Sequence, residues 1–135
     1  KVTLKKIINV HDCGKLINPA LAEAQVHGGM SMGIGYGLSE QLIFDPKTGK
    51  PLNNNLLDYK LSTFMDHPNL QAAFVENYEP TSAFGTKALG EPPACSPAPA
   101  IRNAILQATG VSIDRCPITP HVLFAEFTKA GLIQD

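Results

Sequence analysis

Apolar residues fall at Val2, Leu4, Ile7, Ile8 and Val10, partly alternating and partly β-branched, which predicts a strand over residues 1–10. His11-Asp12-Cys13-Gly14 reads as the turn that ends it. Asn18-Pro19 supplies an N-cap and a proline at the first helical position, so a helix is predicted from Pro19 to about Glu40. Leu42 and Phe44 alternate with polar neighbours and predict a short strand over residues 40–44, followed by a hairpin loop at Asp45-Pro46-Lys47-Thr48-Gly49-Lys50. Asn53-Asn54-Asn55 favours turns, because each side chain competes for nearby backbone groups. Residues 56–61 fit either a helical turn or an extended stretch, and Met65-Asp66-His67-Pro68 is a break. A further strand is predicted over residues 71–78, ending at Glu79-Pro80. Ile101, Ala104, Ile105 and Ala108 mark a helix over residues 100–109 with Gly110 as its C-cap. Residues 113–118 form an extended link, and Thr119-Pro120 opens a last helix, with Val122, Leu123 and Phe127, that Gly131 stops. No repeat or linker interrupts the pattern, so residues 1–135 are expected to form a single α+β domain.

The helix after Pro19 contains Gly28, Gly29, Gly33, Gly35 and Gly37. Each interior glycine costs about 1 kcal/mol relative to alanine, so the five together cost roughly 4–5 kcal/mol before packing. Gln25, Gly29, Gly33 and Gly37 share one face, a smooth groove with an amide at its head. Two readings stand: close packing against another element, or a flat ligand lying along the face with Gln25 bonded to it. A dinucleotide fingerprint is excluded, because Gly33-Ile34-Gly35-Tyr36-Gly37 lacks the required spacing and sits inside the helix.

Composition removes several classes of function. Charged residues are only 17% of the chain, fewer than usual, so part of the surface is expected to be covered by another chain or domain. A net charge of −1 with scattered basic residues and no Trp gives neither a nucleic-acid footprint nor a membrane patch. Cys13, Cys95 and Cys116 are far apart, and the four histidines show no ligand spacing, so no metal site is expected from this chain's own residues. The three scattered cysteines point to a reduced, cytoplasmic setting, and neither a signal peptide nor an apolar run that spans a bilayer is expected. The chain opens on Lys1 inside a strand-like pattern, as a piece of something longer would.

The remaining candidate chemistry sits in Gly85-Thr86-Lys87-Ala88-Leu89-Gly90-Glu91-Pro92-Pro93. One acid stands between a glycine, which permits close backbone approach, and a proline, which restricts the acid's own backbone to extended geometry. From the residues alone Glu91 is more readily an ordinary first-turn acid than a catalytic base.

Three segments shift that balance: Val10-His11-Asp12-Cys13-Gly14-Lys15-Leu16-Ile17-Asn18-Pro19 with Gln25 beyond it, then Asn55-Leu56-Leu57-Asp58-Tyr59-Lys60, then residues 85–93. In order and spacing they resemble the C-terminal part of the molybdenum-cofactor subunit of the xanthine dehydrogenase and aldehyde oxidase family, across nearly the whole chain. The resemblance implies a segment of a larger molybdopterin-binding domain. It implies that Glu91 takes the proton from a molybdenum-bound hydroxyl, whose oxygen attacks an electron-poor carbon while hydride passes to a sulfido ligand. Such a base must lie within hydrogen-bond reach of its proton.

By the same resemblance Gln25 contacts the pterin and Gly90 brings backbone close to the metal. Lys87 either supports the charge of the site or is a solvated lysine. The amides of residues 94–96 are candidates to meet anionic cofactor atoms. The implied cofactor is a molybdopterin, in simple or dinucleotide form, with iron–sulfur clusters and FAD on other domains or subunits. The implied substrate is a purine or other N-heterocycle; aldehyde oxidation by the same chemistry, or a non-catalytic structural or assembly module, are the alternatives. The family's other cofactor-gripping segments lie outside these residues, so the isolated chain is expected to be inactive.

Overall fold

The computed structural model describes residues 2–133 and has the α+β character expected. Its elements are β1 (Lys6–Asp12), α1 (Pro19–Leu38), β2 (Asn69–Val75), α2 (Pro92–Cys95), α3 (Pro97–Thr109) and α4 (Pro120–Lys129), with 3-10 turns at Phe64–Asp66 and Ala83–Gly85. β1 and β2 pair in parallel, Lys6 opposite Asn69 and Asp12 opposite Val75. Parallel strands need a long crossover, which residues 13–68 provide, α1 included.

The pairing moves the strand boundaries. β1 begins at Lys6 rather than at Val2, the expected start at Lys1 lying outside the described residues, and continues through His11 and Asp12, which find partners in Phe74 and Val75. β2 runs from Asn69 and stops at Val75 rather than Tyr78, because β1 has ended and offers nothing further to bond. The turn falls at Gly14, whose φ of 64° suits a residue without a side chain and which bridges Thr86. A Cβ there would run into the carbonyl oxygen of Gly85.

The strand expected over residues 40–44 is reduced to one bridge, Phe44 to Pro51. Asn53 explains why: its Oδ1 accepts from the Ile43 amide at 2.7 Å and its Nδ2 donates to the Gln41 carbonyl at 2.7 Å. One buried amide thus satisfies the backbone that a second strand would have paired. The loop after Asp45 forms as expected, its carboxylate accepting from the amides of Lys47 and Thr48. Over residues 56–61 the chain turns on Asn55, whose Oδ1 accepts from the Leu57 and Asp58 amides.

α1 is the centre of the molecule. Asn18 caps it, accepting from the Leu21 amide at 3.1 Å. Its glycine face is a seat for α2 and α3. A Cβ on Gly29 would lie 2.9 Å from the Pro93 carbonyl carbon, one on Gly33 2.8 Å from the Ala94 oxygen, and one on Gly37 3.3 Å from Ala98. The alternative of a flat ligand along Gly29, Gly33 and Gly37 is overturned, since backbone already fills that space.

Beyond this seat, Ile34 joins Ile101, Ile105, Ile113, Ile118 and Leu123 in the hydrophobic core. α3 starts at Pro97, earlier than expected, and ends on Gly110 with φ 74°. Thr119 caps α4 through the Val122 amide, as the sequence predicts. On β1 the inward residues are Ile7, Asn9 and His11, while Ile8 and Val10 are more than half exposed.

Candidate active site

The chemistry-bearing segments meet where β1 ends. Gly14 bridges Thr86, the Lys15 amide donates to the Gly85 carbonyl at 2.8 Å, and the Lys87 amide donates to the Cys13 carbonyl at 2.8 Å. These bonds hold the loop that carries Glu91 against the carboxyl end of the strand. Ligands of α/β folds bind outside that end, where loops and helix starts converge.

From there the chain runs to the early turns of α1. The Gln25 side chain donates from Nε2 to the Gly90 carbonyl at 2.5 Å. Two residues singled out from the sequence, 65 positions apart, are therefore in direct contact. Both are exposed, and a side chain built on Gly90 would meet nothing within 4 Å. The backbone here is open to an incoming group.

Glu91 follows as the N-cap of α2, with φ −95° and ψ −26°. The extended geometry expected before proline is thus corrected. Pro92 and Pro93 open a short helix, and the Ala94 amide donates to the Glu91 carbonyl at 2.9 Å, which rewards the helical geometry. Its carboxylate makes no capping hydrogen bond and is exposed. The main chain beside it is held at Gly90 by Gln25 and at Glu91 itself by the Ala94 amide.

Lys87 has a different address. Its ammonium lies 2.6 Å from Asp12 Oδ2, tying the loop to the last residue of β1. The lysine holds Asp12 below the usual carboxylate range, with help from the Gly14 amide at 3.0 Å. Asp12 read as a turn residue in the sequence; only its partner 75 positions away reveals the anchor. Asn9 was also missed as more than a strand position. It is buried, donating to the Pro93 carbonyl at 3.1 Å and accepting from the Ser96 hydroxyl at 3.2 Å. Its signal was a lone amide within an apolar run.

Gln25, Gly90 and Glu91 thus place an exposed amide, an uncrowded main chain and a carboxylate without a capping bond side by side. Among the described residues no cluster of three or more His, Cys, Asp and Glu is placed to hold a metal ion. A cavity of about 640 Å³ lies elsewhere, lined by Ile34, Leu38, Lys60 and His67 among others and by none of Gln25, Gly90 and Glu91. No helix among the described residues is long and apolar enough to cross a membrane.

Residues 1–68 match the family model of the molybdopterin cofactor-binding domain. The chain is 58% identical to the putative xanthine dehydrogenase molybdenum-binding subunit XdhA of Escherichia coli K12, over 98% of this chain and 18% of that protein. Identity to the aldehyde oxidoreductase molybdenum-binding subunit PaoC of the same organism is 32%, over 88% of this chain and 16% of that protein. The crystal structure of quinoline 2-oxidoreductase from Pseudomonas putida 86 superposes with a TM-score of 0.87 at 32% identity, covering 94% of this chain and 16% of that one. The chain thus spans less than a fifth of the length of the proteins it matches. It belongs to the molybdopterin cofactor-binding domain family, within the molybdenum-binding subunits of the xanthine dehydrogenase and aldehyde oxidase kind.

Proposed function

We propose that residues 1–135 form one wall of the active site of a molybdenum hydroxylase, as a segment of a larger cofactor-binding domain, with Glu91 as its general base. The observation that carries the reading is the Gln25–Gly90 contact, which sets an exposed carboxylate beside a polar, uncrowded surface at the carboxyl end of β1. When bound, the cofactor supplies the oxygen to be transferred and accepts two electrons from the substrate. Gln25, through whichever amide atoms the Gly90 carbonyl leaves free, holds the rim of the pterin, and Gly90 lets it approach the main chain. Glu91 takes up one proton on a carboxylate oxygen as the substrate carbon is attacked, and returns it to solvent before the next cycle. General-base assistance of this kind is worth about 10²–10⁴-fold in rate. Lys87 serves by fixing the loop to Asp12.

The preferred substrate is a purine or another N-heterocycle, supported by the 58% identity to a protein named for xanthine dehydrogenase and the likeness to a quinoline oxidoreductase. A second reading, aldehyde oxidation by the same residues, is favoured by the 32% identity to PaoC. The partners are the rest of the molybdenum-binding chain and iron–sulfur and flavin domains or subunits; several relatives are named as subunits. The working compartment is the cytoplasm.

Glu91→Gln in the full molybdenum enzyme tests the base. Turnover on a purine and on an aldehyde should fall by about 10²–10⁴-fold with molybdenum content unchanged. Unaltered turnover would leave only a structural or assembly role for this chain.

A further inference from the structure

The turn that follows Glu91 has a gap in its hydrogen bonding that the sequence creates. In a continuous helix the carbonyl of Pro93 would accept from the amide of residue 97. That residue is proline and has no N–H. α2 therefore ends at Cys95 and α3 begins at Pro97, with the Pro93 carbonyl, on a residue almost fully buried, short of its natural donor. A buried carbonyl without a partner is costly, and such groups are nearly always satisfied.

Asn9 fills the gap. Its Nδ2 donates to the Pro93 carbonyl at 3.1 Å, and its Oδ1 accepts from the Ser96 hydroxyl at 3.2 Å. The residue is 7% exposed, and its side chain reaches across 84 positions from the middle of β1. Its neighbours on the strand, Ile8 and Val10, point outward, so the amide is the inward residue at that level of the sheet. The other side of Pro93 lies against Gly29 of α1. Pro93 is thus clamped between a strand and a helix, two residues after the carboxylate.

We infer that Asn9 is a positioning residue for Glu91: as the replacement donor for the missing amide of Pro97, it fixes the angle of α2 and hence where the Glu91 carboxylate stands. The inference rests on the proposed role of Glu91. Geometry matters at this level because a displacement of about 1 Å in a reacting group can cost about 10²-fold in rate.

The test uses the full molybdenum enzyme. Asn9→Leu keeps a side chain of similar size and removes both the donor to Pro93 and the acceptor for Ser96. It should lower kcat per bound molybdenum by about 10- to 100-fold, with KM within about 3-fold of wild type and molybdenum content unchanged. Hydrogen exchange of the peptide covering residues 90–96 should accelerate while that of α4 does not. Pro97→Ala added to Asn9→Leu returns an amide to the Pro93 carbonyl, and should bring kcat back to within about 3-fold of wild type.

Wild-type kcat in Asn9→Leu overturns the inference, and so does a low kcat that Pro97→Ala fails to restore. If Asn9→Leu does not accumulate, Asn9→Asp, which keeps the acceptor for Ser96 and loses the donor, is held to the same kcat and KM thresholds. Failure of both variants to fold also overturns it, since the amide would then serve the fold alone. Glu91→Gln is measured in parallel. If it turns over normally, the base assignment fails; if it is inactive while Asn9→Leu is not, only the role of Asn9 falls.

Discussion

Single residues here act by completing contacts that their local sequence leaves open. Asn53 stands in for a strand, Asn9 for a proline's missing amide, and Asp12 for a counter-ion to Lys87. The Asp12–Lys87 pair also makes a pH prediction. The Asp12 carboxyl is held below the usual carboxylate range, chiefly by the Lys87 hydrogen bond and then by the Gly14 amide. A depressed carboxylate contributes stability that is present above the unfolded value and is lost as pH falls through the folded one. Asp12→Asn should therefore lower the melting temperature at pH 7, and the difference from wild type should shrink as the pH is taken below 3.8. A difference that persisted undiminished in acid would overturn this, because asparagine keeps the acceptor for the Gly14 amide and only the charge should be lost. Because both groups are partly exposed, the effect should be small.

At the scale of elements, α1 carries glycines of two kinds, and substitution separates them. Gly28 is exposed with nothing within 4 Å of a Cβ, so Gly28→Ala should stabilise the fold by up to about 1 kcal/mol through helix propensity. Gly29 faces Pro93 backbone at 2.9 Å, so Gly29→Ala should destabilise by about 1–3 kcal/mol in spite of the same propensity gain. Urea denaturation of both variants checks the opposite signs. Gly29→Ala should also disturb the site, because the helix it displaces begins at the Glu91 cap.

For the whole molecule, the sheet is the informative feature. Two parallel strands alone are an unusual unit, since parallel sheets are normally covered on both faces and extended at their edges. Here Ile8, Val10 and Val75 are more than half exposed on the outward face, and Phe64, Met65, Leu56 and Phe84 are more exposed still. Surfaces of this kind are contact surfaces or aggregation liabilities. The isolated 135-residue chain should therefore bind a hydrophobic dye, self-associate, and carry no stoichiometric molybdenum. Metal analysis together with turnover decides it: full molybdenum occupancy with activity in the chain alone would sink the prediction.

The sequence by itself determined what is local or carried by motif. Asn18, Thr119 and Gly110 marked helix ends because caps and a left-handed stop are decided within a few residues. The Gly85–Pro93 stretch and Gln25 marked the candidate site because their residue types and order resemble one family. The strand limits, the fate of residues 40–44 and the use of the glycine face were not legible, since each depends on what arrives from far along the chain. β1 ends where β2 gives it no more partners, and the groove of α1 is closed by backbone from Pro93 to Ala98. Glu91 shows the division most clearly. The sequence singled it out between glycine and proline, but its helical backbone came from the turn it begins. That turn is held by Gln25 and Asn9, because hydrogen bonds across 65 and 84 positions exist only once the strand and helices have packed.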